Sequence, residues 1–258
     1  MYAPDNGDRY RAPALDKGLD ILELLAATDL SLSQAEIAKS LNRSPNEIYR
    51  MLDRLVRRNY VRRTEQERYE LTLKLFELAH QSPFIRRLVS HATPLVRHFA
   101  RDAGQACHLV VYDRNMLVVV AQLDAPGYWS IAIRIGGRMS LINTGSGHVF
   151  LAYANDEERA LMLEERDDIV TNKVPDDFEQ RLAQVKERGY EMMQSLQVSG
   201  VTHLSVPIFG PLGTVVATLT CPFIDRLDQP EAPGKKDVLE LLIAAGKKIS
   251  NGPLMARS

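Results

Sequence analysis

Cysteine is nearly missing from the 258 residues: Cys107 and Cys221 stand far apart, with no C-x-x-C spacing, so neither a disulfide framework nor a thiolate zinc site has support. Long apolar runs are missing too. Nothing approaches the ~18–20 residues needed to span a bilayer, and Met1–Pro13 has polar and charged residues where a signal peptide needs an apolar core, so a cytoplasmic protein without membrane partners is expected. Net charge is only −1, which excludes a uniformly basic nucleic-acid coat. Catalytic signatures are equally scarce. The chain has no G-x-S-x-G, no G-x-x-x-x-G-K-[ST] and no H-E-x-x-H, and His98, His108 and His148 are isolated, so no cofactor, metal or enzymatic activity is expected.

What is present is concentrated in Ser33–Tyr69. Ser33-Gln34-Ala35-Glu36 and Ser44-Pro45-Asn46-Glu47 both read Ser-x-x-Glu, the capping box in which Ser and Glu satisfy each other's backbone N–H groups at a helix start. Two starts this close leave a short helix, Gln34–Leu41, a tight turn through Asn42-Arg43, and a second helix, which is helix-turn-helix spacing. In the second helix Ile48, Met51, Leu52, Leu55 and Val56 recur at helical intervals on one face. The opposite face carries Asn46, Tyr49, Arg50, Asp53, Arg54 and Arg57, suited to base edges and phosphates. Tyr60–Arg63 and Arg68–Leu71 around a polar tip predict a hairpin wing. Nine basic residues against four acidic ones from Lys39 to Arg68 give this stretch a local +5. Ser44, Asn46, Tyr49, Arg50, Arg54, Arg57, Arg62, Arg63 and Arg68 are therefore the candidate DNA-binding residues, and duplex operator DNA the expected partner.

In chain order, residues 1–13 predict a flexible tail, with Arg9 and Arg11 able to touch phosphate. Leu15, Leu19, Ile21, Leu22, Leu24 and Leu25 predict a first helix behind the reading helix, closing a winged helix-turn-helix domain over 14–73. A helical linker is expected over 74–104, interrupted at Ser82-Pro83 and again at Thr93-Pro94, where Thr would cap a new start, and stopping at Gly104. Its stripe of Leu88, Val89, Ala92, Leu95 and Val96 is expected to make a homodimer, which could pair into a dimer of dimers. Strand patterns follow at His108–Tyr112 and Leu117–Ala121, joined by a turn through Asp113–Met116, and at Trp129–Ile135 and Met139–Leu141. Helices are expected at Ser146–Ala154, Asp156–Glu165 and Asp177–Arg188, then strands at Thr202–Phe209 and Thr214–Thr220 and a helix at Lys235–Ile249. Strands at both ends with helices between predict an α+β domain with an antiparallel sheet over 105–250, before a tail at 251–258.

These residues resemble the IclR-type (isocitrate lyase regulator) transcriptional regulators over nearly all of 14–250. The likeness is most specific in Ala14–Leu22 (ALDKGLDIL), Thr144–Ala152 (TGSGHVFLA) and Gly200–Phe209 (GVTHLSVPIF). The resemblance implies a GAF-like effector domain with a pocket at Thr144, Gly145 and Ser146, His203, Thr218 and Thr220. Trp129, Asn143 and Ser195 are added as candidates around it. It further implies a ligand-responsive repressor of a catabolic or metabolic operon. A Gly-rich turn opening a helix offers free N–H groups to an anion, although Gly145 and Gly147 could equally serve close helix–sheet packing. Met192 and Met193 stand where some members of the family carry an acidic, polar segment, so a larger, even aromatic, carboxylate is expected beside glyoxylate or pyruvate. Two alternatives remain open at this point: Cys221 as nucleophile with His203 as base, and a DNA-binding protein without ligand control.

Overall fold

The computed structural model describes residues 12–114, 116–164 and 174–252. Residues 1–11 of the expected tail 1–13, with Arg9 and Arg11, residues 253–258 of the expected tail 251–258, Asn115 of the expected turn and Glu165 of the expected helix lie outside the described residues. The chain divides into two compact units, 1–83 and 84–258.

The first unit holds α1 (Pro13–Ala26), α2 (Gln34–Ser40), α3 (Pro45–Arg57), the hairpin β1 (Val61–Arg63) and β2 (Tyr69–Leu71), and α4 (Lys74–His80). Both capping boxes form. Ser33 N–H donates to Glu36 Oε2 at 2.7 Å and Ser44 N–H to Glu47 Oε2 at 3.1 Å, while each serine oxygen accepts the amide three residues on. The turn between α2 and α3 passes through Asn42 at φ 51°, a left-handed position that asparagine tolerates. Ile21, Leu25, Ile37, Ile48, Leu52, Val61 and Tyr69 form the core, and Leu32 pairs with Tyr69 at the edge of the wing. Two members of the expected α1 face do not join them: Leu15 is 62 % and Leu19 47 % exposed. Ile21 and Leu25, one turn apart, already fill the space above α3.

The second unit starts on α5 (Pro83–Ala103), which runs unbroken through Pro94. The expected break at Thr93-Pro94 is thus corrected. Thr93 Oγ1 turns back to bond Val89 O at 2.6 Å instead of capping forward. Leu88, Ala92, Val96, Phe99 and Ala103 lie buried on one side of the helix, anchoring both halves and outweighing the ~3 kcal/mol cost of an interior proline. The stripe expected to dimerise is therefore spent within the chain: Leu88, Ala92 and Val96 are buried against the sheet, with Val89 and Leu95 packed beside them.

That sheet has six antiparallel strands in the order β5-β4-β3-β8-β7-β6. They are β3 (Cys107–Asp113), β4 (Met116–Leu123), β5 (Arg138–Met139), β6 (Glu191–Gln194), β7 (Val201–Phe209) and β8 (Val215–Ile224). Alternation decides its two faces. Cys107, Leu109, Leu204, Val206, Leu219 and Cys221 face α5 and α9 (Lys235–Ser250). Val110, Leu117 and Val119 face α6 (Gly145–Tyr153), α7 (Asp156–Glu164) and α8 (Phe178–Arg188). The result is an α+β unit in three layers. The expected strand Trp129–Ile135 does not form. Its backbone is held by a tight turn, Gly137 N–H to Arg134 O at 2.9 Å, and by the Gln122 side chain, which accepts from Ile133 N–H at 3.3 Å, so only Arg138–Met139 pairs with β4. Strand β6 was not expected from its Glu-Met-Met-Gln composition.

Candidate functional site

The outward face of α3 is polar and exposed, as its period requires. Asn46, Tyr49, Arg50, Arg54 and Arg57 all point away from the core. Arg50, Arg54 and Arg58 form no ion pair among the described residues, whereas Arg57 pairs with Asp53 at 3.0 Å. In the wing, Arg62 pairs with Glu70, and Arg63 pairs with Glu67 at 2.6 Å while leaning over the Tyr69 ring. Two candidates have structural work as well. Ser44 spends its hydroxyl on the α3 cap, and Arg68 is half-buried, donating to Ser31 O at 2.9 Å and to Glu36 at 2.8 Å, which ties the wing to the start of α2. Lys17 reaches Glu47 at 2.6 Å, and that bond with the Ser44 cap brings the exposed Glu47 carboxyl down to about 2.

In the second unit the candidates gather under the start of α6. Thr144 caps the helix, accepting from Gly147 N–H at 3.1 Å and donating to Ser140 O at 2.7 Å, so its hydroxyl is fully employed. Gly145 lets the helix approach the sheet, since a Cβ there would stand 2.6 Å from Ser205 Oγ, and Gly147 lets it approach the segment that leads into it, where a Cβ would stand only 2.0 Å from Leu141 O. That close approach joins three buried hydroxyls in a run, Ser146 to Thr220 at 2.8 Å and Thr220 to Ser205 at 2.8 Å. Thr218 and the half-buried His203 share this face of the sheet, and the amides of Gly145 and Ser146 meet no acceptor among the described residues. Asn143 is half-buried just before the helix, its N–H on Ser140 Oγ at 3.4 Å. Ser195 instead shapes the turn after β6, accepting from Gln197 and Val198. Trp129 is half-exposed. It lines, with Gln105, Ser130, Pro222, Ile224 and Arg226, a cavity of about 10 Å³, room for one water. Of the two methionines only Met193 is buried; Met192 points outward.

Residues that sequence reasoning passed over complete the face. His148 Nδ1 lies 2.7 Å from Glu191 Oε2 and its Nε2 2.7 Å from Ile142 O, so both ring nitrogens face acceptors. Burial raises the Glu191 carboxyl, but the bond and charge of His148, followed by Arg188, outweigh it and leave it below its usual range. His108 belongs here too, as the β-sheet register shows: it stands opposite Thr220. His148 had a local signal in the helix periodicity from Thr144, but its partner 43 residues away had none. The alternative of Cys221 as nucleophile with His203 as base is not assembled. Cys221 stands opposite Leu204, in the core on the α5 and α9 side, while His203 points to the other face; burial pushes the thiol far above its ordinary value. Among the described residues no cluster of three or more His, Cys, Asp or Glu could hold a metal, and no helix is long and apolar enough to cross a membrane.

An exposed basic reading helix on one unit and a three-layer α+β unit on the other define a DNA-binding regulator with a separate second module. Residues 14–65 match the model of the IclR helix-turn-helix domain, and 85–251 that of the bacterial transcriptional regulator IclR C-terminal domain, so the chain belongs to the IclR family of transcriptional regulators. It is 29 % identical over 253 residues, 95 % of each chain, to the HTH-type transcriptional regulator KdgR of Escherichia coli K12. The transcriptional repressor IclR of the same organism is 23 % identical over 81 % of this chain and 83 % of its own. The fold matches the crystal structure of an IclR homolog complexed with 4-hydroxybenzoate from Microbacterium hydrocarbonoxydans, with a TM-score of 0.76 and 21 % identity over 92 % of this chain and 97 % of that one.

Proposed function

We propose that this regulator is a ligand-responsive repressor of a catabolic or metabolic operon, released or engaged by an organic acid held beneath α6. The carrying observation is the buried polar face formed by Ser146, Thr218, Thr220 and Ser205, with the half-buried His203 beside them, in a unit that carries none of the DNA-reading side chains. A core built only for stability would be apolar there. The 4-hydroxybenzoate named with the Microbacterium homolog supports an aromatic carboxylate as ligand class. The reading helix enters the major groove, Arg50 and Arg54 reading bases or phosphates and Arg62 and Arg63 of the wing holding the backbone. Pseudo-palindromic half-sites about one helical turn (~34 Å) apart, or a multiple, suit a homodimer. The surface for that dimer is sought on the first unit, where Leu15 and Leu19 of α1 and Leu75, Phe76 and Leu78 of α4 are exposed.

For the acid to act, it must favour one disposition of the reading heads over another, and ~1–3 kcal/mol of difference shifts operator affinity several-fold to about a hundredfold. Gel-shift titration of DNA from its own upstream region, with and without aromatic and aliphatic carboxylates, is the test. Retardation at low salt that an acid changes is expected. No retardation sinks the operator assignment, and retardation indifferent to every acid leaves a DNA-binding protein without ligand control.

A further inference from the structure

Two polar atoms on the face beneath α6 have nothing to bond. His108 Nδ1 and Thr218 Oγ1 are fully buried and have no partner among the described residues. They sit on neighbouring strands: His108 is opposite Thr220 and Val110 opposite Thr218, so alternation places His108, Thr218 and Thr220 on the face that Ser146 touches. The contrast with their neighbours is informative. Ser146, Thr220 and Ser205 satisfy one another in a closed run, while the two adjoining groups are left over. More than nine in ten buried polar groups find a partner. The two orphans stand within one rung of each other, on the face of the sheet that carries Ser146's partner Thr220.

The charges around His108 narrow its chemistry. Facing it are Gln122 from β4, Thr218 and Thr220 from β8, Ser205 and His203 from β7, and Ser146 from α6; the Glu191 carboxylate is taken up by His148 and Arg188. The nearest uncommitted titratable group is thus another histidine. Burial, then repulsion from His203, holds the His108 ring neutral, down to about 3.

We propose that His108 and Thr218 are the recognition residues for the acid group of the ligand, and that the acid enters together with one proton taken from solvent. This rests on the ligand-responsive reading above. A carboxylate lowered onto a neutral imidazole would have only the half-charge of a helix N-terminus to compensate it. One proton, shared between imidazole and carboxylate, removes the uncompensated charge; no covalent bond forms or breaks. Between the His108 value in the free protein and its higher value beside the acid, affinity falls about tenfold for each unit of rising pH.

The full chain serves for the test, by thermal melting and calorimetry with acetate, pyruvate, benzoate and 4-hydroxybenzoate at about pH 6 and about pH 8. Without ligand, His108→Leu and Thr218→Val should melt no lower than wild type, because each removes an unpartnered polar group, whereas Thr220→Val should melt lower. If either of the first two melts lower, the residue has a structural partner and the proposal fails. With ligand, at least one acid should stabilise wild type more at the lower pH. Buffers of different ionisation enthalpy should report one proton taken up, and His108→Leu should weaken binding about tenfold or more and abolish the proton. Equal binding by His108→Leu, binding without proton uptake, or no binding of any of the four acids to wild type overturns it. An acid that binds with its proton yet leaves operator affinity unchanged sustains this inference and removes the sensor reading instead.

Discussion

The reading head and the second unit both gather polar side chains where function is sought, but they do so on opposite sides of their surfaces. On α3 and the wing the guanidinium groups are exposed, and the pairs Arg57–Asp53, Arg62–Glu70 and Arg63–Glu67 lie in solvent. Such pairs are worth ~0–1 kcal/mol, so a phosphate can replace the carboxylate partner at little cost. Beneath α6 Ser146, Ser205, Thr220, Thr218 and His108 are sealed from water; the first three are bonded at 2.8 Å, and Thr218 Oγ1 and His108 Nδ1 have no partner among the described residues. There the geometry is set by the fold before any ligand arrives. The polar contacts of α3 and the wing are thus exchangeable, and the hydroxyl run beneath α6 is fixed.

Substitutions should separate the two regions accordingly. The largest effect is expected from Gly147→Ala, whose Cβ would stand 2.0 Å from Leu141 O; the second unit should lose about 3 kcal/mol or more, read by thermal melting. Preservation of wild-type stability would show that the segment through Leu141 can move away from α6. Leu52→Ala, at the fully buried centre of the first core, should cost ~2–5 kcal/mol and lower the melting of the reading head.

Acidification comes next. Because the folded His108 value of about 3 lies below the unfolded value near ~6.5, its contribution is intact above the unfolded value and lost as pH falls from there toward 3. Its slope is at most about 1.4 kcal/mol per pH unit. Glu191, also held low, adds loss in the same direction within the carboxylate range, so the difference between wild type and His108→Leu isolates the histidine. Parallel stability curves for the two would contradict the buried neutral ring. Ser44→Ala should cost about 1 kcal/mol by uncapping α3, seen as a lower denaturant midpoint. Smallest in stability is Arg54→Ala, which should leave melting unchanged while weakening operator binding and flattening its salt dependence by about one unit of slope. A salt slope equal to wild type would remove Arg54 from the phosphate contacts.

Local order carried most of what could be read in advance. Ser33, Glu36, Ser44 and Glu47 are each three residues from the partner they bond, so both capping boxes were legible, and the period of Ile48, Leu52 and Leu55 fixed which side of α3 is outside. Thr144, three residues from the Gly147 amide it accepts, opens α6 one residue ahead of the expected start at Ser146, and it was named beforehand only through the family resemblance. Where neighbours compete, local signals misled. Pro94 reads as a helix start, yet burial on both sides of it carries α5 through, and the apolar stripe that seemed free for a second copy is consumed by the sheet. Trp129–Ile135 has strand composition, but the Gly137-to-Arg134 turn and the Gln122 side chain, which takes the Ile133 N–H, hold its end away from the β4 ladder.

The sequence by itself determined the winged helix, its basic outward face and the family, because those depend on residues within a turn or two of each other and on short contiguous stretches. Only the tertiary structure decided that Cys221 and His203 look away from each other and that His148 finds Glu191. It alone brought His108 beside Thr218 and Thr220. The contact of His148 with Glu191 spans 43 positions and the pairing of His108 with Thr220 more than 100, beyond the reach of local sequence order. For the strand residues the face is set by alternation in the register, and a shift of one residue would turn them to the opposite face.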